Sequence, residues 1–140
     1  RAVEKSQFSS GFPLAKTLVQ QQELFYLANG YYAKSLSQLD ISMPNGCKTC
    51  YAYGTESLCC GEHLLYQFNH GWRGALVANF CPGKAQSEDS AQCYYSGSQA
   101  TYSIYYEHAG DYFAPYAGQK KCQGPKKYLC TAFCEQFGCN

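Results

Sequence analysis

The residues with the clearest chemical potential in this 140-residue chain are its ten cysteines. Four of them lie close together, as a Cys47-Lys-Thr-Cys50 sequence followed by the adjacent pair Cys59 and Cys60. Four thiolates at such short spacing can hold a zinc ion tetrahedrally, and a Cys-x-x-Cys pair can be redox-active. The alternative is that these sulfurs form structural disulfides. Adjacent cysteines rarely bond to each other because the small ring is strained, so Cys59 and Cys60 each need a partner elsewhere.

The overall composition favours disulfides for the whole set. Ten cysteines in 140 residues is an even count, at a density typical of small domains that fold in an oxidising compartment. The spacings match no single zinc template well, so we expect no bound metal or cofactor. A bond between Cys81 and Cys93 would close the polar segment 82–92 into a loop. The predicted disulfide-forming residues are Cys47, Cys50, Cys59, Cys60, Cys81, Cys93, Cys122, Cys130, Cys134 and Cys139.

Three histidines and one acidic pair are the other candidates for catalysis or metal binding. His63, His70 and His108 are accompanied by no Gly-x-Ser-x-Gly or similar nucleophile motif, so polar surface or core positions explain them more simply. Glu88 and Asp89 lack the periodic ligands of a calcium loop. The sequence also contains no glycine-rich phosphate loop. We therefore predict that the chain is not an enzyme and has no small-molecule substrate.

Basic and aromatic side chains suggest a binding role instead. A lysine group lies close in sequence to the aromatic residues of segment 112–128, and such a mixture suits DNA because bases stack on rings while phosphates contact cations. Trp72 and the tyrosines of segments 93–97 and 101–106 are candidates for contact with a glycan or another surface. The simpler alternatives are a solvated loop and aromatic residues that fill a thin core. The formal charge of +1 indicates no global attraction to nucleic acid. The possible ligand patch comprises Lys120, Lys121, Lys126 and Lys127.

These residues must be positioned by one helix and a sheet. Residues 1–29 show the three- and four-residue apolar spacing of an amphipathic helix. Gly11 and Pro13 interrupt the pattern, which predicts a kink or break near Gly11 because proline removes a backbone donor. Asn29 and Gly30 end the helix, since both tolerate the left-handed conformation that closes one. No capping residue precedes the first turn, so we expect the helix to continue upstream of this sequence.

The remainder of the chain predicts an α+β domain. Short aromatic or β-branched runs separated by turn signals indicate an antiparallel sheet of about four strands. The runs that predict strands are 51–54, 63–68, 73–80, 93–97 and 101–108. In the run TYSIYYEH, Tyr102, Ile104 and Tyr106 alternate with Ser103 and Tyr105, so the two sets face opposite sides of the sheet. We divide the single predicted domain into a helix at 1–29, a connecting loop at 30–50, the sheet at 51–113, and a cysteine-rich C-terminal region at 114–140.

The N-terminal sequence resembles that of a known protein family. AVEKSQFSSG, followed by QQQELFYLANGYYAKSLSQLDI, is similar to the segment after the hydrophobic stalk in bacterial type IV pilins and type II secretion pseudopilins. The resemblance is strong over residues 2–41 and continues in the order of elements and the C-terminal cysteines. It implies a pilin-like domain whose upstream apolar helix anchors the subunit in the inner membrane and later forms the core of an extracellular filament on the bacterial surface.

The resemblance also implies roles and partners. The chain would be a structural subunit that binds copies of itself and the pilus assembly machinery, with Val3, Phe8 and Phe12 partly facing neighbouring subunits. The lysine group would contact DNA or an acidic patch on a neighbour, and a C-terminal disulfide would bound an exposed variable loop. The alternative is a minor pilin at the filament tip that binds DNA, a glycan or a surface. The helix face covered by the sheet would comprise Leu18, Val19, Gln22, Phe25 and Tyr26.

Overall fold

A computed structural model of the chain describes residues 2–52, 54–82 and 99–140. Within these residues an N-terminal helical segment packs on an antiparallel sheet, which confirms the predicted α+β class. The predicted strand at 93–97, the Glu88–Asp89 pair and Cys93 lie outside the described residues. None of the helices in the described ranges combines the length and the apolar character needed to span a membrane.

The helices and strands follow one another in a simple order. The chain begins with α1 (Ala2–Ser9) and α2 (Phe12–Asn29) and ends with α3 (Lys127–Phe137). Short 3-10 turns cover Leu36–Gln38, Phe68–Arg73 and Ala114–Tyr116. The strands are β1 (Cys47–Ala52), β2 (Thr55–Cys60), β3 (Leu64–Gln67), β4 (Ala75–Phe80), β5 (Ala100–Tyr105) and β6 (Lys120–Gln123).

The sheet is larger than the sequence predicted. In the described part of the chain it has six strands in the order β1 to β6, all antiparallel, rather than about four. β1 begins at Cys47, inside the predicted connecting loop 30–50, and β6 lies in the region expected to follow the sheet. Neither strand shows a strong apolar alternation of its own. Each is defined by backbone pairing with its neighbour, which is a tertiary contact and invisible in a local pattern.

The helix break falls where the sequence predicted it. α1 ends at Ser9, Gly11 is the residue that precedes α2, and Pro13 lies in the first turn of α2, where its missing N–H costs nothing. The Tyr66 hydroxyl donates a hydrogen bond to the Gly11 carbonyl at 2.9 Å. A Cβ at this position would overlap the Tyr66 hydroxyl, so the close approach of strand to helix requires glycine. At the other end Gly30 closes α2 with φ +80°.

The core lies between the sheet, the two N-terminal helices and α3. Phe8 and Phe12 are 0% and 4% exposed, so the expectation that they face neighbouring subunits is wrong. The Phe8 ring packs against Phe80 and Tyr102, while Phe12 packs against Tyr102 and the rings of α3. The break at Gly11 and the closure by α3 bring these rings inside. Val3, the third residue of that group, is 68% exposed.

The predicted helix–sheet face is buried to different degrees along α2. Leu18 is fully buried, whereas Val19, Phe25 and Tyr26 are partly buried at the margin of the same core. The burial is therefore deepest near the break between the helices and decreases towards Asn29. Gln22, although polar, is also fully buried.

Candidate functional site

The clustered cysteines form two disulfides across the β1–β2 hairpin. Cys47 bonds to Cys60, its direct partner in the strand register, whereas Cys50 lies opposite Ser57 and bonds diagonally to Cys59, two residues further along β2. All four sulfur atoms are therefore in disulfide bonds. They are not arranged as zinc ligands, and Cys47 and Cys50 do not form a reduced Cys-x-x-Cys pair. These bonds fasten β1, which lies at the edge of the sheet, to its neighbour.

The C-terminal cysteines fix α3 in place. Cys122 on β6 bonds to Cys130 on α3, and Cys134 bonds to Cys139 just beyond the helix. Cys81 is also disulfide-bonded, and its predicted partner Cys93 lies outside the described residues. The four pairs formed by described residues join cysteines that lie five to thirteen positions apart in sequence, so each of these four bonds locks local elements.

The predicted lysine patch is divided between two environments. The Lys126 ammonium forms an ion pair with the Glu4 carboxylate on α1, and the Tyr128 hydroxyl donates to the same carboxylate at 2.8 Å. These hydrogen bonds from Lys126 and Tyr128 lower the pKa of Glu4, and the bond to Glu4 raises the pKa of Lys126. Lys126 therefore joins α1 to the start of α3. Lys120 and Lys121 belong to β6, and the Lys121 ammonium lies 4.9 Å from the centre of the Tyr116 ring.

The three histidines contact different parts of the molecule. His63 lies beside the Phe80 ring and His70 beside the Phe113 ring, whereas His108 stacks on Tyr26 with ring centres 4.4 Å apart. Burial, followed by the charge of Arg73, lowers the pKa of His70, which favours a neutral ring at neutral pH. Among the described residues no three His, Cys, Asp or Glu side chains are placed to share a metal ion.

An aromatic ladder runs across one side of the domain. It joins residues from the 3-10 turn after β3, from β5, from the 110–116 segment and from β6. Three of its rings are conspicuously exposed: Trp72 by 48%, Tyr112 by 70% and Tyr116 by 42%. The ladder consists of Trp72, Arg73, Tyr112, Phe113, Tyr105, Tyr116 and Lys121.

Each member of the aromatic ladder contacts the next. The Arg73 guanidinium lies 4.5 Å from the centre of the Trp72 ring and 5.1 Å from that of Tyr112. Tyr112 and Phe113 meet edge to face at 4.8 Å, and Phe113 meets Tyr105 in the same way at 5.3 Å. Tyr105 then packs on Tyr116 at 5.3 Å. Ring and cation contacts of this kind hold the side chains in place before any ligand arrives.

Backbone hydrogen bonds fix the loop that carries Trp72 and Arg73. Gly74 follows them with φ +103°, and a side chain there would overlap Ala109. The Gly74 carbonyl accepts a hydrogen bond from the Tyr106 N–H at 2.7 Å. This close approach of two loops brings Arg73 to Tyr112, although the two residues are distant in sequence.

A polar groove of about 380 Å³ adjoins the end of the aromatic ladder. Its floor is the outward face of β5 and β6, with Thr101 opposite Gln123 and Ser103 opposite Lys121 in the strand register. Tyr105 and Lys121 belong to both the ladder and the groove. The Cys134–Cys139 disulfide and Asn140 form the wall at the outer edge.

The sequence identified most of these residues but not their common surface. Trp72 and the tyrosines of 101–106 suggested one binding role, and the aromatics beside the lysines suggested another; the fold joins them into one ladder. The alternation of TYSIYYEH correctly placed Ser103 and Tyr105 on the face opposite Tyr102. Arg73 and Gln123 were missed because no local pattern marks them.

Comparison with known proteins gives no further indication: no family model, no curated protein and no solved structure matches this chain.

Proposed function

We propose that the chain is the outer domain of a structural subunit of a type IV pilus or pseudopilus. The observation that carries the proposal is a two-part N-terminal helix packed on a disulfide-bonded antiparallel sheet, in a chain whose residues 2–41 resemble pilins. In this role the domain forms the shell of an extracellular filament. An apolar helix upstream anchors the subunit in the inner membrane before assembly and then lines the filament core.

Exposed apolar residues on the helices support this role. Leu24 and Leu27 are 50% and 76% exposed, Tyr31 just beyond α2 is 55% exposed, and Val3 on α1 is 68% exposed. Leu24 and Leu27 are three positions apart and therefore share one side of the helix. In this proposal neighbouring subunits contact this side of α2, and not the buried Phe8 and Phe12. Such contacts are heterologous in an open helical filament, because different patches must meet.

The test requires the full gene and a bacterium able to assemble pili. We expect an upstream apolar helix in the gene product and the protein in sheared filaments. The double variant Leu24→Glu/Leu27→Glu should reduce filament yield, while the isolated domain with the same changes keeps its melting temperature. Thr49→Glu, at an exposed position on β1, is the matched control and should leave the filaments unchanged. A gene product with no apolar helix, or a tight closed dimer of the domain, would refute the proposal.

The second candidate function is that of a minor pilin whose domain binds a ligand at the filament tip. The aromatic ladder favours it, since monomeric proteins seldom leave several large rings exposed side by side without a binding role. Abundance separates the two candidates. A major subunit dominates sheared filament preparations, whereas a tip protein is rare in them.

A further inference from the structure

We infer that the groove between β5, β6 and the C-terminal disulfide binds a carbohydrate. This inference goes beyond the proposed filament role and does not depend on assembly. For the tip-protein candidate it names the class of ligand. It is carried by the polar floor of the groove, the aromatic end of the ladder beside it, and the distribution of charge around both.

The floor of the groove presents groups suited to sugar hydroxyls. Ser103 supplies a hydroxyl that both donates and accepts hydrogen bonds, and the Gln123 amide supplies donors and an acceptor. The Thr101 hydroxyl donates to the Asn79 side-chain oxygen at 3.0 Å, so it offers the groove an acceptor. The pairing of β5 with β6 sets these groups across from one another. Neighbouring hydroxyls of a sugar ring likewise both donate and accept. The floor therefore matches a carbohydrate better than it matches an apolar ligand.

An aromatic wall adjoins this polar floor. The rings of Tyr105 and Tyr116 lie 5.3 Å apart, and Phe113 packs against Tyr105 from another element. A pyranose ring has an apolar face of C–H groups that packs well on such rings, while its hydroxyls at the edge remain available for hydrogen bonds. Because the tyrosines are already held by their neighbours, little side-chain entropy is lost when a sugar binds.

The outer wall of the groove is also fixed in advance. The Asn140 side chain accepts a hydrogen bond from the Lys120 N–H at 2.9 Å, and the Asn140 N–H donates to the Lys120 carbonyl at 3.0 Å. The Cys134–Cys139 disulfide closes the same turn. A groove whose walls are fixed by covalent and backbone bonds is largely formed before ligand binding, as is usual for small-ligand sites.

Charge distinguishes a carbohydrate from a nucleic acid. Of the described residues that line the groove, one has a charged side chain, and that residue is Lys121. Arg73 lies towards the opposite end of the aromatic ladder, between Trp72 and Tyr112, and Lys126 is paired with Glu4. A nucleic-acid strand requires several cations along its path to offset its phosphates. A single lysine instead suits a sugar hydroxyl or the carboxylate of an acidic sugar.

The experiment measures binding of the folded chain to a printed array of oligosaccharides with neutral hexose, N-acetylhexosamine and sialylated ends. We expect retention of at least one class, confirmed by titration in solution with the best-retained oligosaccharide. Tyr116→Ala and Gln123→Ala should each weaken its affinity about tenfold, which corresponds to the loss of one ring contact or one good hydrogen bond. Both residues are exposed, so circular dichroism should show a folded protein in each case.

Lys48→Gln on β1 is the matched control, since Lys48 is an exposed lysine at the opposite edge of the sheet, and it should leave the affinity unchanged. The inference is overturned if the wild-type chain retains no oligosaccharide, or if the two groove variants bind as well as wild type. It is also overturned if a labelled single-stranded oligonucleotide binds the groove more tightly than every sugar. None of these outcomes bears on filament assembly, which is tested separately with the full gene.

Discussion

At the scale of single residues, Gln22 is the most consequential polar side chain of the helical segment. It lies fully buried on α2, and its amide makes two hydrogen bonds to the backbone of Ala33: the nitrogen donates to the carbonyl at 3.0 Å and the oxygen accepts from the N–H at 2.8 Å. The two hydrogen bonds resemble the pair of backbone hydrogen bonds that two facing residues exchange in an antiparallel sheet. They hold the chain that leaves α2 against the helix, and they satisfy backbone groups that are also buried.

Replacing Gln22 by alanine should therefore cost about 2–4 kcal/mol of unfolding free energy, because the buried N–H and C=O of Ala33 lose their partners. Urea denaturation monitored by circular dichroism measures this loss. Gln20→Ala is the matched control, since Gln20 is exposed on the same helix; it should change stability by less than about 0.5 kcal/mol. Equal stability of the two variants would show that the Gln22 amide is not needed to hold Ala33.

At the scale of elements, the N-terminal helices anchor the sheet at their junction and not at the C-terminal end of α2. Phe12 lies at this junction and contacts β5 through Tyr102 and α3 through Phe133 and Phe137. Phe25, which the sequence placed in the same core, is only partly buried and packs on Tyr31. The same residue type thus occupies two very different environments on one helix.

Phe12→Ala should destabilise the domain by about 3–5 kcal/mol, because it opens a cavity among three elements. Phe25→Ala should cost only about 1 kcal/mol, since the partly exposed ring leaves no enclosed cavity. Thermal unfolding of both variants under oxidising conditions measures the difference. A larger loss for Phe25→Ala than for Phe12→Ala would contradict the observed position of the core.

At the scale of the whole molecule, the core is unusual in the number of tyrosines that it encloses. Burial raises the pKa of Tyr66, Tyr102 and Tyr106 above the ordinary value of 10.0. Burial, together with a hydrogen bond donated to Glu23, does the same for Tyr32. Of 14 tyrosines in the chain, these four resist ionisation in the folded state and couple the stability of the whole core to alkaline pH.

The direction of this coupling follows from proton linkage. Above pH 10 the unfolded chain releases tyrosine protons that the folded chain retains, so the folded state binds more protons and stability falls as the pH rises. Below pH 10 the stabilisation that comes from these protonated tyrosines is fully present. Absorbance at 295 nm should therefore show these four tyrosines ionising only as the protein unfolds, at a pH above 10. A single smooth titration of all tyrosines near pH 10, with no change in circular dichroism, would contradict this expectation.

The features that the sequence by itself determined are those encoded by neighbouring residues. Gly11 and Pro13 predicted the helix break, and Gly30 predicted the helix end, because backbone conformation at these positions depends on local sterics. The alternation in TYSIYYEH assigned the two faces of β5 for the same reason. The cysteine content predicted disulfides, and the described pairs confirm them. The resemblance of residues 2–41 to pilins stays a prediction, and the filament proposal rests on it.

Only the tertiary structure decided the features that depend on distant pairs. The pairing of Cys47 with Cys60 follows from strand register, and the burial of Phe8 and Phe12 follows from the closure of α3 over the helix break. Folding places Glu4 beside Lys126, so this lysine forms an ion pair and is set apart from the other lysines of the predicted ligand patch. The aromatic ladder and its groove likewise combine four separate segments. These contacts stabilise the protein only after folding has brought distant segments together. A short stretch of neighbouring residues therefore cannot predict them.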